Sequence, residues 1–255
     1  MKTNQLTLGQ GLKGFVQKSP ARMAFIIAAL IYIITIVVTP SALNMGAIGS
    51  IIMLTLLLSF ASAGQTIVLI GGGMDFGVGA VMSSAAILTT SIMQQENGHF
   101  LEVFVVAMAM GALVGLVNGV CSVKIGLPAM IVTMAVSNVV SRLQYVLTQG
   151  SPLGYASPAF VSSVSQRLFG LPFLPSIVLY AIVLFPLVYF ILNRSRFGKQ
   201  VYLVGNNPVA ARLNGISVHK VQILTYVISG LFSAFAGMLG AAYMTSARCQ
   251  MFDEY

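Results

Sequence analysis

The sequence predicts an all-α, polytopic inner-membrane bundle of about seven spans with its N-terminus in the cytoplasm. Three observations carry this. Only 7% of the 255 residues are charged, where a soluble domain carries about 25%. Hydrophobic residues make up 57%, and the mean hydropathy is +0.93. The few charges are separated by long apolar runs of the length that crosses a bilayer, about 20 residues each. The same figures exclude a globular enzyme with a hydrated shell, and a disordered chain, which would be polar and charged.

The spans follow from those runs in order. No charge occurs between Arg22 and Asp75, enough for two spans, with Pro40, Ser41 and Asn44 marking the turn. Span 1 is Met23 to Thr39 and span 2 is Met45 to Ile70. Glycines then interrupt the pattern, and span 3 runs from Phe76 to Met93. A polar loop holding Gln94, Gln95, Glu96, Asn97, His99 and Glu102 follows. Span 4, Val103 to Val123, is closed by Lys124 and Gly126. Span 5 is Pro128 to Leu147. A Ser-, Pro- and Gly-rich loop leads to span 6, Phe173 to Leu192, and a basic segment over 193–220 leads to span 7, Val221 to Tyr243. The chain reads as one transmembrane domain over 1–255, with a cytoplasmic N-terminal segment over 1–22 and a cytoplasmic loop over 193–220.

Orientation follows from where Lys and Arg fall, because cytoplasmic loops carry them in excess. One face collects Lys2, Lys13, Lys18, Arg22, Lys124, Arg194, Arg196, Lys199, Arg212 and Lys220; the other collects Arg167 and Arg248, with Arg142 in or at the outer end of span 5. The formal net charge of +8, which in a soluble protein would suggest nucleic acid, is therefore a topology signal, and no nucleic-acid partner is expected. Span 1 has no convincing A-x-A site after it and reads as an uncleaved span. Cys121 and Cys249 fall on opposite faces and are not expected to pair.

The densest glycine run is Gly71-Gly72-Gly73-Met74-Asp75-Phe76-Gly77-Val78-Gly79. It has neither the dinucleotide nor the Walker spacing and no strand before it, so the chain has no visible means of binding ATP itself. Gly72, Gly73, Gly77 and Gly79 read as a broken helix and a gating element. Asp75 has two readings: a cap on the helix beginning at Phe76, or an intramembrane ion or proton site. Gly111, Gly115 and Gly119 repeat every four residues, as do Ser229, Ser233, Gly237 and Ala241, the small faces through which membrane helices approach closely. Gln65, Asn118, Asn138 and Gln144 are neutral polar residues inside spans. They either bond across helices or line a wet path. No catalytic set is visible, and no metal or cofactor is expected. His99 and His219 lie on opposite faces with no ligand-spaced partners.

The basic segment contains one well-punctuated helix. Asn206 and Asn207 supply a cap, Pro208 fits the first position, Val209-Ala210-Ala211-Arg212-Leu213 gives two turns, and Gly215 ends it. Such an element is either an ordinary loop helix or a contact for a partner.

Three stretches resemble the sugar-type permease subunits of bacterial ABC importers, the group of the ribose and autoinducer-2 permeases. Thr66 to Gly79 is similar to T-x-V-hydrophobic-x-G-G-I-D-L-S-V-G, with departures at Gly73, Met74, Phe76 and Gly77. Gly115 to Gly119, continuing through Lys124, Pro128, Ile131 and Thr133, is similar to G-x-x-N-G, a basic residue and P-x-F-I-V-T-L, with Ala129 and Met130 in place of the usual pair. Arg196-Phe197-Gly198-Lys199, Gly205-Asn206-Asn207, Ala210 to Ile216, Tyr226 and Ser229-Gly230 resemble f-G-r, G-x-N, A-A-r-x-s-G-I and Y-x-x-S-G, the most specific of the three.

The resemblance covers about residues 60 to 250. It implies a multi-pass permease of the bacterial inner membrane that moves a monosaccharide or similar small solute. Its expected partners are cytoplasmic ABC ATPase subunits, a second permease subunit, a periplasmic or lipid-anchored solute-binding protein and membrane lipid. Asn206, Asn207, Pro208, Ala210, Ala211, Arg212 and Gly215 are implied to couple to the ATPase. Family members continue past the position of Tyr255 with further spans, so the sequence reads as C-terminally truncated. A second function class, an ion- or proton-coupled transporter using Asp75 or Arg142, lacks the internal repeat such proteins usually show.

Overall fold

The computed structural model describes residues 20–151 and 153–253; Lys2, Lys13, Lys18 and Glu254 lie outside them, as does most of the segment over 1–22. The chain divides into two compact units, 1–50 and 51–255. In the first, helix α1 (Pro20–Val38) ends before a 3-10 turn over Pro40–Leu43. Pro40 has no N–H with which to continue the helix. Tyr32 donates its hydroxyl to the Ala42 carbonyl at 3.2 Å. Asn44 accepts from the Gly46 N–H at 3.0 Å, which helps start α2 (Met45–Ile70) at the predicted residue.

The second unit holds the rest of α2 and eight further helices among the described residues. They are α3 (Val78–Met93), α4 (Phe100–Val123), α5 (Ala129–Thr148), α6 (Pro158–Ser165), α7 (Ile177–Asn193), α8 (Arg196–Asn206), α9 (Pro208–Leu213) and α10 (Val218–Met244). Four of these, α2, α4, α5 and α10, are long and apolar enough to cross a bilayer alone; α7 and α8, bent by 63° at their junction, make a fifth candidate. Helices α1 and α3 are apolar but shorter. The protein is a polytopic helical membrane protein, with four helices of spanning length, or five with the bent pair, among the described residues where the sequence predicts seven spans.

Two helices were not among the predicted elements. The loop over 148–172 contains α6, which starts where Ser157 accepts the Phe160 N–H at 3.3 Å and Pro158 takes the first position. It buries Phe160 and Val164. The basic segment contains α8, capped by Ser195 on the Gly198 N–H at 2.9 Å. Its Val201 and Val204 are buried while Arg196 and Lys199 are exposed, so one face serves the core and the other carries the charges that mark the segment as polar.

Helix α10 is the centre of this unit. Two-thirds (67%) of its most apolar window is buried, against 22–28% in the other single-helix spans. It packs on α4 and α3. In lipid there is little hydrophobic gain from joining two apolar helices, so close van der Waals fit holds them together. The predicted small-residue face of α4 supplies that fit. A Cβ on Gly111 would strike the Gly230 carbonyl, and one on Gly115 would strike the backbone of Tyr226. Gly237 of α10 similarly meets the backbone of Met82 on α3.

Among the described residues after α10 there is no further helix, and the segment through 253 lies against α3 and α5. Ser83 accepts the Phe252 N–H at 2.9 Å, and Gln144 Oε1 accepts the Gln250 N–H at 3.2 Å. The Phe252 ring is buried.

Candidate functional site

Between Ile70 and Val78 the backbone leaves the helical path inside the packed bundle. Gly72 turns it with φ +81°, a left-handed conformation that side chains with a Cβ rarely adopt. Irregular backbone at membrane depth must be satisfied by protein groups, and here four side chains from three helices supply them. Gln65 of α2 donates to the Asp75 carbonyl at 3.2 Å. Thr133 of α5 accepts the Phe76 N–H at 3.1 Å. From α10, the Tyr226 hydroxyl donates to the Met74 carbonyl at 3.3 Å and Gln222 donates to the Gly71 carbonyl at 3.5 Å.

The Asp75 side chain is 4% exposed and sits at the middle of this arrangement. Its Oδ1 accepts the Gly77 N–H at 2.9 Å and lies 3.4 Å from the Asn118 amide nitrogen of α4. Its Oδ2 accepts the Ser229 hydroxyl of α10 at 2.8 Å. One of the two readings of Asp75 makes it the cap of a helix from Phe76. Instead α3 begins at Val78 with Gly77 at the cap position, and the carboxylate bonds only one of the free N–H groups at that end. Its other oxygen joins the break to α10.

The remaining predicted residues separate into groups. Gln65 and Asn118 belong to the Asp75 cluster. Gln144 is buried and donates to the Ala80 carbonyl at 3.0 Å and Ser84 Oγ at 2.7 Å, tying α5 to α3. Asn138 faces outward from α5 and bonds back to the Met134 carbonyl at 3.0 Å. Gly79 is covered by the Phe252 backbone. Arg142 is exposed and is in no ion pair among the described residues. Sequence reasoning did not assign Thr133, Gln222, Tyr226 and Ser229 to the break: Thr133, Tyr226 and Ser229 stood out only as motif or small-face positions, and Gln222 only as a polar residue within an apolar span.

A second feature lies beside the break. Asn207 Oδ1 accepts the N–H groups of both Val209 and Ala210 at 3.0 Å, capping α9. At the other end, the Gly215 N–H bonds the Arg212 carbonyl and the Ile216 N–H bonds the Ala211 carbonyl, at 3.0 and 3.1 Å. With Gly215 at φ +77°, this is the paired closure that ends helices with a left-handed glycine. Ala211 is buried with Val201, Val204, Val218 and Val221. Val209 and Leu213, four residues apart on one face, are 69% and 85% exposed. Asn206 ends α8 rather than opening α9, so the cap belongs to Asn207 alone. A cavity of about 300 Å³ joins the two features, lined by Gly71, Gly72 and Gly73 of the break, Tyr226, and Arg212 and Pro208 of α9.

Among the described residues no group of three His, Cys, Asp or Glu could hold a metal ion. What the arrangement offers is a satisfied helix break and a capped helix at one edge, joined through α10.

Several known proteins are similar to this chain in sequence. The chain is 31% identical over 239 residues to the galactose/methyl galactoside import permease protein of Haemophilus influenzae, covering 88% of this chain and 70% of that one. It is 29% identical over 223 residues to the ribose import permease protein of Escherichia coli K12, covering 86% and 69%. A probable ABC transporter permease protein of Sinorhizobium fredii is 30% identical over 232 residues, covering 90% and 68%. No solved structure matches it. The family model described as "Branched-chain amino acid transport system / permease component" matches residues 47–254, a range that contains both the Asp75 break and α9. The chain is a membrane permease component of an ABC transporter, with no catalytic role of its own, and it belongs to that family.

Proposed function

We propose that the chain is the membrane-spanning subunit of a bacterial importer for a monosaccharide or a similar small hydroxylated solute. ATP hydrolysis then occurs on separate subunits that dock against α9, the N-terminus and the 193–220 segment face the cytoplasm, and a second permease subunit completes the path. An extracytoplasmic binding protein delivers the solute. Similarity to permeases named for ribose, galactose and arabinose supports the solute class over the amino acids in the family description.

The observation that carries the reading is the exposed pair Val209 and Leu213 on a helix fixed at both ends. Two large apolar side chains, held toward water by a cap on each side, fit a groove on another protein. Arg212 beside them contacts the cavity next to the break, so a push on α9 reaches the Gly71 to Asp75 segment through α10. ATP and loaded binding protein drive the cycle by their different affinities for the inward- and outward-open states.

The test is copurification of the chain with a separate ATPase, followed by L213D. The ATPase is expected to copurify with the unaltered chain and to be lost with L213D, while the variant stays folded. Uptake that follows a proton gradient and needs no ATP would overturn the reading in favour of the ion-coupled class.

A further inference from the structure

Helix α5 presents three distinct faces. Thr133, Ser141, Gln144 and Thr148 are buried against the bundle. Val139, Leu143 and Val146 form an exposed apolar face, at 68%, 53% and 74%. Between the two runs a third row: Asn138, Arg142, Tyr145 and Gln149, spaced by four, three and four residues and exposed along its length. This spacing puts Asn138, Arg142 and Tyr145 on one stripe of the helix, with Gln149 at the left-handed cap position just past its end.

A stripe of that chemistry does not suit lipid. Arg142 is near the end of the helix, and a long side chain there can reach the interface by snorkelling. Asn138 cannot. It stands at the middle of a 20-residue helix, about 15 Å from either end at 1.5 Å per residue, on a side chain two carbons long. Arg142 also has no carboxylate partner among the described residues, where the ion pairs involve only His99. Polar and charged side chains in a span face the protein interior or water, and the buried face is already occupied by other residues.

We infer that the row Asn138–Arg142–Tyr145–Gln149 lines the water-filled solute path and sets its specificity. This rests on the proposed import function for the nature of the solute, though not for the presence of water. The four side chains offer amide and phenol groups, which donate to and accept from hydroxyls, and a guanidinium, which only donates. The stripe carries a cation and no acid. It therefore suits uncharged polyhydroxylated solutes and disfavours those bearing an ammonium group.

The test uses single cysteines in the full chain, N138C and R142C on the row and V139C and L143C beside it. The protein sits in sealed vesicles without any ATPase, and labelling of natural Cys121 and Cys249, measured on the unaltered chain, is subtracted. A charged thiol reagent is expected to modify N138C and R142C at least 10-fold faster than V139C and L143C. Nitroxides at the same four positions give a second reading that does not depend on thiol chemistry. Row positions should collide with a water-soluble nickel chelate, and the flanking positions with dissolved oxygen. Equal slow labelling with oxygen access at Asn138 would place the row in lipid, and access to neither quencher would place it against protein. Either outcome overturns the inference. The measurement involves no transport, so loss of the import reading alone would leave it standing.

Discussion

The Ser229 hydroxyl of α10 donates to Asp75 Oδ2 at 2.8 Å, across 154 positions of sequence. This bond joins the interrupted backbone between α2 and α3 to α10, the most buried of the four single-helix spans. Since both groups are buried, water cannot replace the bond when it is lost. Leaving a buried donor or acceptor without its partner costs about 1–3 kcal/mol. S229A is expected to lose about that much stability, read by denaturant unfolding in detergent. D75A is expected to lose more, because it leaves the Ser229 hydroxyl, the Asn118 amide and the Gly77 N–H without their acceptor. Equal stability of S229A and the unaltered chain would show that the bond does not hold the break.

The α4–α10 contact makes a steric prediction. Gly230 and Gly111 approach so closely that a Cβ on either meets the other's carbonyl, and backbone cannot yield as the end of a flexible side chain does. G230V is expected to cost about 3 kcal/mol or more, at the upper end for overpacking. G98A is the matched control: nothing lies within 4 Å of the added Cβ, and its effect should stay within about 0.5 kcal/mol. Thermal unfolding of the two variants separates a packing role from general intolerance of glycine replacement.

These two contacts show how much of the fold and site was legible in the sequence. The Gly111-Gly115-Gly119 face could be read because close helix approach imposes a four-residue period. The start and end of α2 could be read because Pro40 and the Gly71 run punctuate an uncharged stretch. The partners of Asp75 were not legible. Ser229 was read as part of a packing face and Asn118 as a bridge or a path residue, and only the fold brings them to one carboxylate. Helix α8 escaped for a different reason. Its apolar positions Val201 and Val204 are interleaved with Arg196, Lys199 and polar residues, so its composition looks like a loop while its period is helical.

At the α4 entrance, His99 Nδ1 lies 2.9 Å from Glu102 Oε2, and Glu96 is 3.6 Å away on the other nitrogen. The bond to Glu102, and next its charge and Glu96, raise the His99 pKa above its ordinary value. The added stability is therefore fully present below the unfolded pKa, near 6.5, and lost as pH rises through the raised folded value. All three groups are exposed to solvent, so the effect is small and screened by salt. Hydrogen exchange in the first turn of α4 is expected to speed up as pH is raised through that window, beyond its intrinsic base dependence. H99Q should remove the extra step, and high salt should shrink it.

The last prediction concerns how firmly α9 is held. Six residues are too few for a helix to persist alone, so the turns of Pro208–Leu213 depend on their ends and on Ala211 in the core below. Replacing Asn207 by Ala removes the acceptor for two N–H groups, a loss of about 1 kcal/mol. Asp at the same position keeps an acceptor and should preserve the helix. At the far end, G215A forces a side chain into a left-handed conformation at φ +77°, costing about 1 kcal/mol. Nothing lies within 4 Å of the added Cβ, so the whole effect is backbone strain. N207A and G215A should each raise hydrogen exchange across Val209 to Ile216 several-fold without lowering global stability by more than the local loss, while N207D stays near the unaltered rate. If all three variants exchange alike, α9 is fixed by the packing of Ala211 rather than by its caps. A partner that docks on Val209 and Leu213 would then be gripping a helix held at its base.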